Sequence, residues 1–338
     1  MAKALIETKK GPLVLLFYDG FEWRAREDRL GRIKASTRRL ARFAYRSARR
    51  KQVHTGFYTA FLALRLALKR HGCDVRVNDF AFARRHPGYP IGIAGYPSVL
   101  AAVDLPNPRI FGPGDFGLPH ESREVASDDR TRVVIQPSDW FCEFYRPYVG
   151  SKIAPWFAGI DTNAWPDLSG ASKSVDVLIY DKIRWYRDRE VPDLIGRLTS
   201  HLDRRGLTWK ILRYGHHHLS EFRAGLSAAR SMAFICEHET QGLAYQEAMA
   251  SGVPIFAWDE GIFVDPQLAP AASPGLAVGA VPYFDHRCGR TFKRAELESG
   301  FDAFWSGLKL YEPRNYVLEN LSLDQSANAY LELYRAAF

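Results

Sequence analysis

The hydrophobic pattern changes period twice within the first eighty residues. Residues 12–18, Pro-Leu-Val-Leu-Leu-Phe-Tyr, form an unbroken apolar run that ends at Asp19-Gly20. Such a run, closed by a turn pair, predicts a buried strand. From Thr55-Gly56 onward, Phe57, Phe61, Leu64 and Leu68 recur at spacings of four, three and four. That is one face of a helix, and His71-Gly72 closes it by the glycine-after-helix rule. Residues 74–78, Asp-Val-Arg-Val-Asn, alternate like a second strand. Strand, helix, strand is a βαβ unit, which argues for a parallel sheet whose ligands lie beyond the carboxyl ends of its strands.

The pattern recurs further along. Residues 112–119 are dense in Gly and Pro and predict a loop, and Arg132-Val-Val-Ile135 predicts another buried strand. Residues 150–171 are rich in Gly, Pro, Ser and Trp and read as a linker. A second α/β series follows, with strands expected at 175–180, 207–212, 232–236 and 253–258 and helices at 193–202, 220–231 and about 242–251. Near the end, Ser322-Leu-Asp-Gln325 is a capping box ahead of Ala327, Tyr330, Leu331 and Tyr334. The fold class this implies is α/β, with two Rossmann-like, doubly wound domains facing a cleft. The expected division is 1–155, then 156–312, then a last helix in 313–338 that returns toward the first domain. A chain of 338 residues is long for one core, which supports two domains.

Charge adds one local feature. The chain carries a net charge of +8, yet residues 23–51 hold twelve Lys/Arg against two acids, a local +10. The remainder therefore sums to −2, so this is a near-neutral globule with one basic segment. Leu30, Ile33, Leu40 and Phe43 give that segment a partial helical stripe. It admits three readings: a solvated or acceptor-contacting helix, a nucleic-acid patch, and an interfacial helix on anionic lipid. The interleaved aromatics of a base-stacking surface are missing, so nucleic acid is not expected as a partner. No apolar run reaches the ~20 residues of a membrane helix, and the start lacks a signal-peptide core. Cys73, Cys142, Cys236 and Cys288 are far apart, with no CxxC pair. They read as free thiols in a reducing compartment, so the expected location is cytoplasmic, and, on the lipid reading of the basic segment, peripheral at the inner membrane face.

The chemistry concentrates in Glu239-Thr-Gln241-Gly242-Leu243-Ala-Tyr-Gln-Glu247-Ala-Met-Ala-Ser-Gly252-Val-Pro254. One carboxylate follows an apolar run, and the second lies in a short helical run eight positions on. The helix start between them offers free N–H groups and a positive dipole end to an anion such as a diphosphate. Gly242 permits close backbone approach, and the carboxylates accept hydrogen bonds from sugar and ribose hydroxyls. Glu237, close by, reads as solvent-facing or structural. Lys182, Arg184 and Arg187 follow a predicted strand, where phosphate-binding cations sit. His216-His-His218, behind Tyr214-Gly215, cannot all face one ion from a regular element, and no Asp/Glu/Cys set stands at ligand spacing, so no metal is expected.

These motifs resemble those of the retaining GT-B glycosyltransferases of family 4 and the broad "glycosyl transferases group 1" domain. That family carries Glu, seven residues, then Glu, followed by Ala-Met-Ala-x-Gly-x-Pro. Pro155-Trp-Phe-Ala-Gly159-Ile-Asp161 is similar to the family's interdomain segment, with an extra residue between Pro155 and Gly159. A weaker similarity lies at Asp181-Lys182-Ile-Arg184-Trp-Tyr-Arg187, where the family usually has Gly-Arg and then a Lys about five residues on. Lys182 and Arg187 match that spacing, Asp181 replaces the glycine, and Arg184 is a rival for either cation. The resemblance is strong over about 150–262 and architectural before that.

The resemblance implies a hexosyltransferase of polysaccharide and glycoconjugate synthesis. It would move a sugar from a UDP- or GDP-type nucleotide sugar to a hydroxyl of a glycan or lipid-linked acceptor, with retention and without a metal or other cofactor. Glu247 would bind ribose, and Glu239 the donor sugar. Lys182 and Arg187, with Arg184, would bind the diphosphate, while Gln241, Gly242, Leu243 and Gly215 would line the donor site. The acceptor side would include Gly20, Gly56, His54, His120 and Asp115. Domain closure would exclude water. Retention would proceed by same-face attack, the leaving phosphate helping to take the acceptor proton. Two alternatives stand beside this reading: a GT-B nucleotide-sugar epimerase or hydrolase, and a basic membrane or nucleic-acid adaptor with a vestigial donor site.

Overall fold

The structure, a computed structural model, describes residues 4–20, 37, 56–114 and 116–338. Almost all of the basic segment, together with His54 and Asp115, lies outside the described residues. The chain forms two compact units, Met1–Gly159 with Leu323–Phe338, and Ile160–Ser322. Among the described residues no helix is long and apolar enough to cross a membrane.

In the first unit the expected strand is β2 (Gly11–Asp19), after the short β1 (Glu7–Thr8). Residues 13 to 18 of β2 are all buried, as a strand covered on both faces requires. The others are β3 (Asp74–Val77), β4 (Ile91–Gly95), β5 (Arg109–Gly114), β6 (Thr131–Gln136) and β7 (Ile153–Pro155). They run parallel in the order β3-β2-β4-β5-β6-β7, with β1 antiparallel on β2. The order reverses between β2 and β4. The helix Gly56–Arg70 buries Phe61, Leu64 and Leu68 of the stripe read from the sequence, and the Phe57 side chain lies outside the description.

Two expectations are corrected here. The supposed 112–119 loop is strand as far as Gly114. A Cβ on Gly112 would lie 2.3 Å from Ile135 and one on Gly114 2.2 Å from the Gly95 carbonyl. These glycines are points of close approach between strands rather than breakers. The supposed 150–171 linker contains β7, and its two tryptophans are buried. Trp156 donates to the Ser326 carbonyl at 3.0 Å. The helix Leu323–Ala336 belongs to the same compact unit, its Tyr334 hydroxyl accepting from the Leu15 N–H at 3.0 Å.

The second unit has five parallel strands, β8 (Val175–Asp181), β9 (Trp209–Arg213), β10 (Ala229–Ile235), β11 (Ile255–Trp258) and β12 (Gly289–Phe292). Their order is β12-β11-β10-β8-β9. The chain winds outward both ways from β8 and β10, so the switch point, where a doubly wound sheet leaves a crevice, lies between their carboxyl ends. The helix expected at 193–202 begins earlier, at Arg187, and runs through a π-helical stretch, Val191–Gly196, into Arg197–Arg204. Leu194, Leu198 and Leu202 from it pack with Ile179, Phe256 and Phe301 in one core.

Candidate functional site

The segments leaving β8 and β10 are joined at that switch point. The Lys182 N–H donates to the Ile235 carbonyl at 2.9 Å. Beyond it, Lys182 Nζ and Glu239 Oε1 form an ion pair at 2.5 Å, with side chains only 12% and 8% exposed. The ammonium also lies over the Tyr214 ring, 4.5 Å from its centroid, and the Cys236 thiol donates to the same Glu239 oxygen at 3.2 Å. Burial alone would raise the Glu239 carboxyl. The charges of Lys182 and Arg184, with the hydrogen bonds from Lys182 and Cys236, outweigh it and hold the carboxyl below its usual range. Burial likewise disfavours the Lys182 ammonium, but Glu239 and its neighbours more than offset this and raise its pKa.

Glu247 is placed differently. Gly242, at φ 84° and ψ 53°, caps the helix Leu243–Ala250. A Cβ there would lie 2.1 Å from the Tyr245 ring, so only glycine fits. The first helical hydrogen bond runs from the Gln246 N–H to the Gly242 carbonyl, which leaves the N–H groups of residues 243–245 directed out of the helix start. One turn on, the Glu247 carboxylate has no hydrogen-bond or ion-pair partner among the described residues. Burial pushes its pKa up to about 8, against smaller opposing effects of Arg223 and Lys182. At neutral pH this carboxyl is mostly protonated, able to donate as well as accept.

A pH effect on stability follows. The folded value lies above the ordinary carboxyl value, so the stabilising proton is fully bound below about 4.5 and is lost as pH rises through about 8. The side chain is partly exposed, which reduces the effect to on the order of 1 kcal/mol, or about 2–4 °C in Tm, between pH 6 and 9. Glu247→Gln is expected to remove that much of the wild-type decline in Tm over this interval. Parallel Tm curves for the two proteins would contradict the assignment.

The cations after β8 have distinct partners. Arg187 NH1 and NH2 lie 2.9 and 2.6 Å from the two oxygens of buried Asp181, and NH1 donates to the Ile183 carbonyl at 2.6 Å. Asp181, which stands where the resembled family has glycine, thus engages the guanidinium expected at the diphosphate. Arg184 donates to the His238 carbonyl and lies over the Trp185 ring at 4.4 Å. The charges of Lys182 and Arg184 act on Glu239. Glu237, read as solvent-facing or structural, is buried and accepts from the N–H groups of Arg184 and Trp185 at 2.9 and 3.0 Å.

The remaining expected residues divide between the units. Gln241 is buried, its amide donating to Gln246 Oε1 at 3.0 Å, and Leu243 opens the helix. Gly215, at φ 76°, follows Tyr214 in an exposed turn. His217 Nε2 is 3.2 Å from the Tyr180 hydroxyl and its Nδ1 3.1 Å from the His218 carbonyl. In the neutral ring Nδ1–H therefore donates to the carbonyl and Nε2 accepts from tyrosine. In the first unit Gly20 follows β2, Gly56 opens its helix, and His120 is exposed ahead of the helix Glu121–Ser127. No cluster of three or more metal-ligating side chains occurs among the described residues. Sequence reasoning passed over Cys236, His238 and Tyr180. Burial and the Arg184 charge lower the His238 pKa to about 4, leaving it neutral. Their one available signal was position, at or just past the end of a predicted strand.

No family model and no curated protein matches the chain. Solved structures do. Sucrose-phosphate synthase from Thermosynechococcus elongatus aligns over 96% of this chain and 98% of its own, at TM-score 0.57 and 11% identity. The chain has the GT-B fold. The catalytic domain of starch synthase IV from Arabidopsis thaliana covers 85% of this chain and 79% of its own, at TM-score 0.44 and 13% identity. TarM covers 75% at TM-score 0.49 and 12% identity, and this chain spans 57% of TarM's length. Within the GT-B fold, the site described above occupies the sheet switch point of the 160–322 unit.

Proposed function

We propose that the 160–322 unit binds a nucleoside diphosphate sugar and that the protein is a retaining glycosyltransferase acting on a hydroxyl of a glycan or lipid-linked acceptor. One observation carries this reading. At the switch point, a carboxylate ion-paired to a buried lysine stands eight residues before a carboxyl without a hydrogen-bond or ion-pair partner among the described residues, with a glycine-capped helix start between them. Such a helix start suits a diphosphate. Lys182 and Arg184 are the cations assigned to it, and they act on the leaving group as charge develops there. Glu239, already ionised, accepts from donor-sugar hydroxyls. Glu247, mostly neutral near pH 7, both donates to and accepts from the ribose hydroxyls. Arg187 is reassigned from the diphosphate to bracing the 182–187 loop. We assign the acceptor to the other unit, which contains Gly20, Gly56 and His120. Retention by same-face attack needs no protein nucleophile, the leaving phosphate taking up the acceptor proton.

The test is product formation from UDP-, GDP- and ADP-sugars with glycan and glycolipid acceptors, read by NMR. The expected product keeps the donor's anomeric configuration. An inverted product refutes retention, and donor consumption that is indifferent to every acceptor points instead to hydrolysis or epimerisation.

A further inference from the structure

Three successive amides in the loop after β8 converge on carboxylates of the protein itself. The Ile183 N–H donates to Asp181 Oδ1 at 3.2 Å. The N–H groups of Arg184 and Trp185 donate to Glu237 Oε1 at 2.9 and 3.0 Å. Glu237 comes from 52 residues or more along the chain, just past β10, and its side chain is 4% exposed. Its second oxygen is buried without a hydrogen bond, the nearest charge being Arg184 Nε at 3.7 Å. Consecutive N–H groups turned to one side form the kind of concavity with which backbone holds phosphate. A buried carboxylate is costly without compensation, and these amides with the Arg184 guanidinium supply it.

We propose that Glu237 is an internal anion: it fills the cradle formed by the Arg184 and Trp185 amides, beside the Ile183 amide held by Asp181, and thereby fixes the direction of Lys182 and Arg184. The turn is shaped before any ligand arrives, and its amides are not available to a diphosphate, which is met by side-chain cations. Glu237 is a positioning residue, acting through the loop. Its consequence for the donor rests on the donor-site reading; the cradle itself does not.

The test uses Glu237→Ala and Glu237→Gln in the full chain, with sodium formate as probe and sodium chloride at equal ionic strength as control. In Glu237→Ala the emptied cradle is expected to take formate, raising Tm relative to chloride, while wild type is unmoved. Glu237→Gln retains an oxygen that accepts both N–H groups, so it is expected to ignore formate and keep donor KM within about threefold of wild type. The alanine variant is expected to lose about tenfold or more in donor KM, the worth of one hydrogen bond to a charged group, and to recover with formate. No formate effect on Glu237→Ala, or an equal effect on Glu237→Gln, overturns the proposal. If the alanine variant does not fold, Glu237→Asp carries the test. One methylene short, it is expected to speed hydrogen exchange at the Arg184 and Trp185 amides, and wild-type exchange there overturns the cradle. Wild-type protein that binds no nucleotide sugar would refute the donor site while leaving the formate and exchange results standing.

Discussion

Lys182→Ala is expected to destabilise the protein by about 3 kcal/mol and to lower donor turnover by about a hundredfold to a thousandfold. The stability loss follows from what remains. Glu239 would keep its enclosure and the Cys236 and Arg184 interactions but lose the ammonium at 2.5 Å, and removing one partner of a buried ion pair is strongly destabilising. The pH dependence is the sharper reading. In wild type the folded Glu239 pKa is lowered. Its contribution is therefore present above the ordinary carboxyl value and is lost as pH falls through the folded value. Without Lys182 the largest of the effects that oppose burial is gone, the folded pKa rises, and the stability Glu239 contributes above the ordinary carboxyl value shrinks. Chemical denaturation at pH 5 and pH 8 should show the variant's deficit larger at pH 8. Lys182→Ala/Glu239→Gln should recover much of it, and equal deficits at both pH values would show that the pair is not a coupled unit.

Glu247→Ala is expected to remove measurable affinity for the nucleotide sugar while leaving the fold intact. The carboxyl is partly exposed and braces no other group among the described residues, so its removal leaves no orphaned partner among them. A ligand diol that loses both acceptor and donor on burial loses more than one ordinary hydrogen bond, on the order of a hundredfold or more in Kd. Stability should respond in the opposite sense to Lys182→Ala: a raised-pKa carboxyl is removed, so Tm at pH 8 and above should hold or rise. Loss of function without loss of stability is the pattern expected of a residue placed for a ligand.

How much of this was legible in the chain depended on distance along it. Glu239, Gly242 and Glu247 belong to one strand-turn-helix stretch, so their spacing alone put them together. Lys182, Arg184 and Arg187 were legible as cations after a strand, but their partners were not. Glu237 reaches Arg184 from 53 residues away, and only folding shows that Asp181 engages Arg187. In the first unit, Gly112 and Gly114 read as loop because glycine's backbone freedom is local, whereas the reason for them is a neighbouring strand. The 150–171 stretch misled in the same way, since its Gly, Pro and Ser suggest a linker while Trp156 and Trp165 are buried. The residues expected on the acceptor side were least legible: His54, Asp115 and almost all of the basic segment lie outside the described residues, and Gly20, Gly56 and His120 carry no pattern as specific as the glutamate pair.

The central claim is that the 160–322 unit holds a nucleotide-sugar site built on Glu239 and Glu247. Titration calorimetry of the full chain with UDP-, GDP- and ADP-sugars, wild type beside Glu247→Ala, tests it most directly. Saturable one-to-one binding of at least one of these donors to wild type is expected, and none to a folded Glu247→Ala. Equal affinity in the two proteins, or no binding of any of the three to wild type, would contradict it.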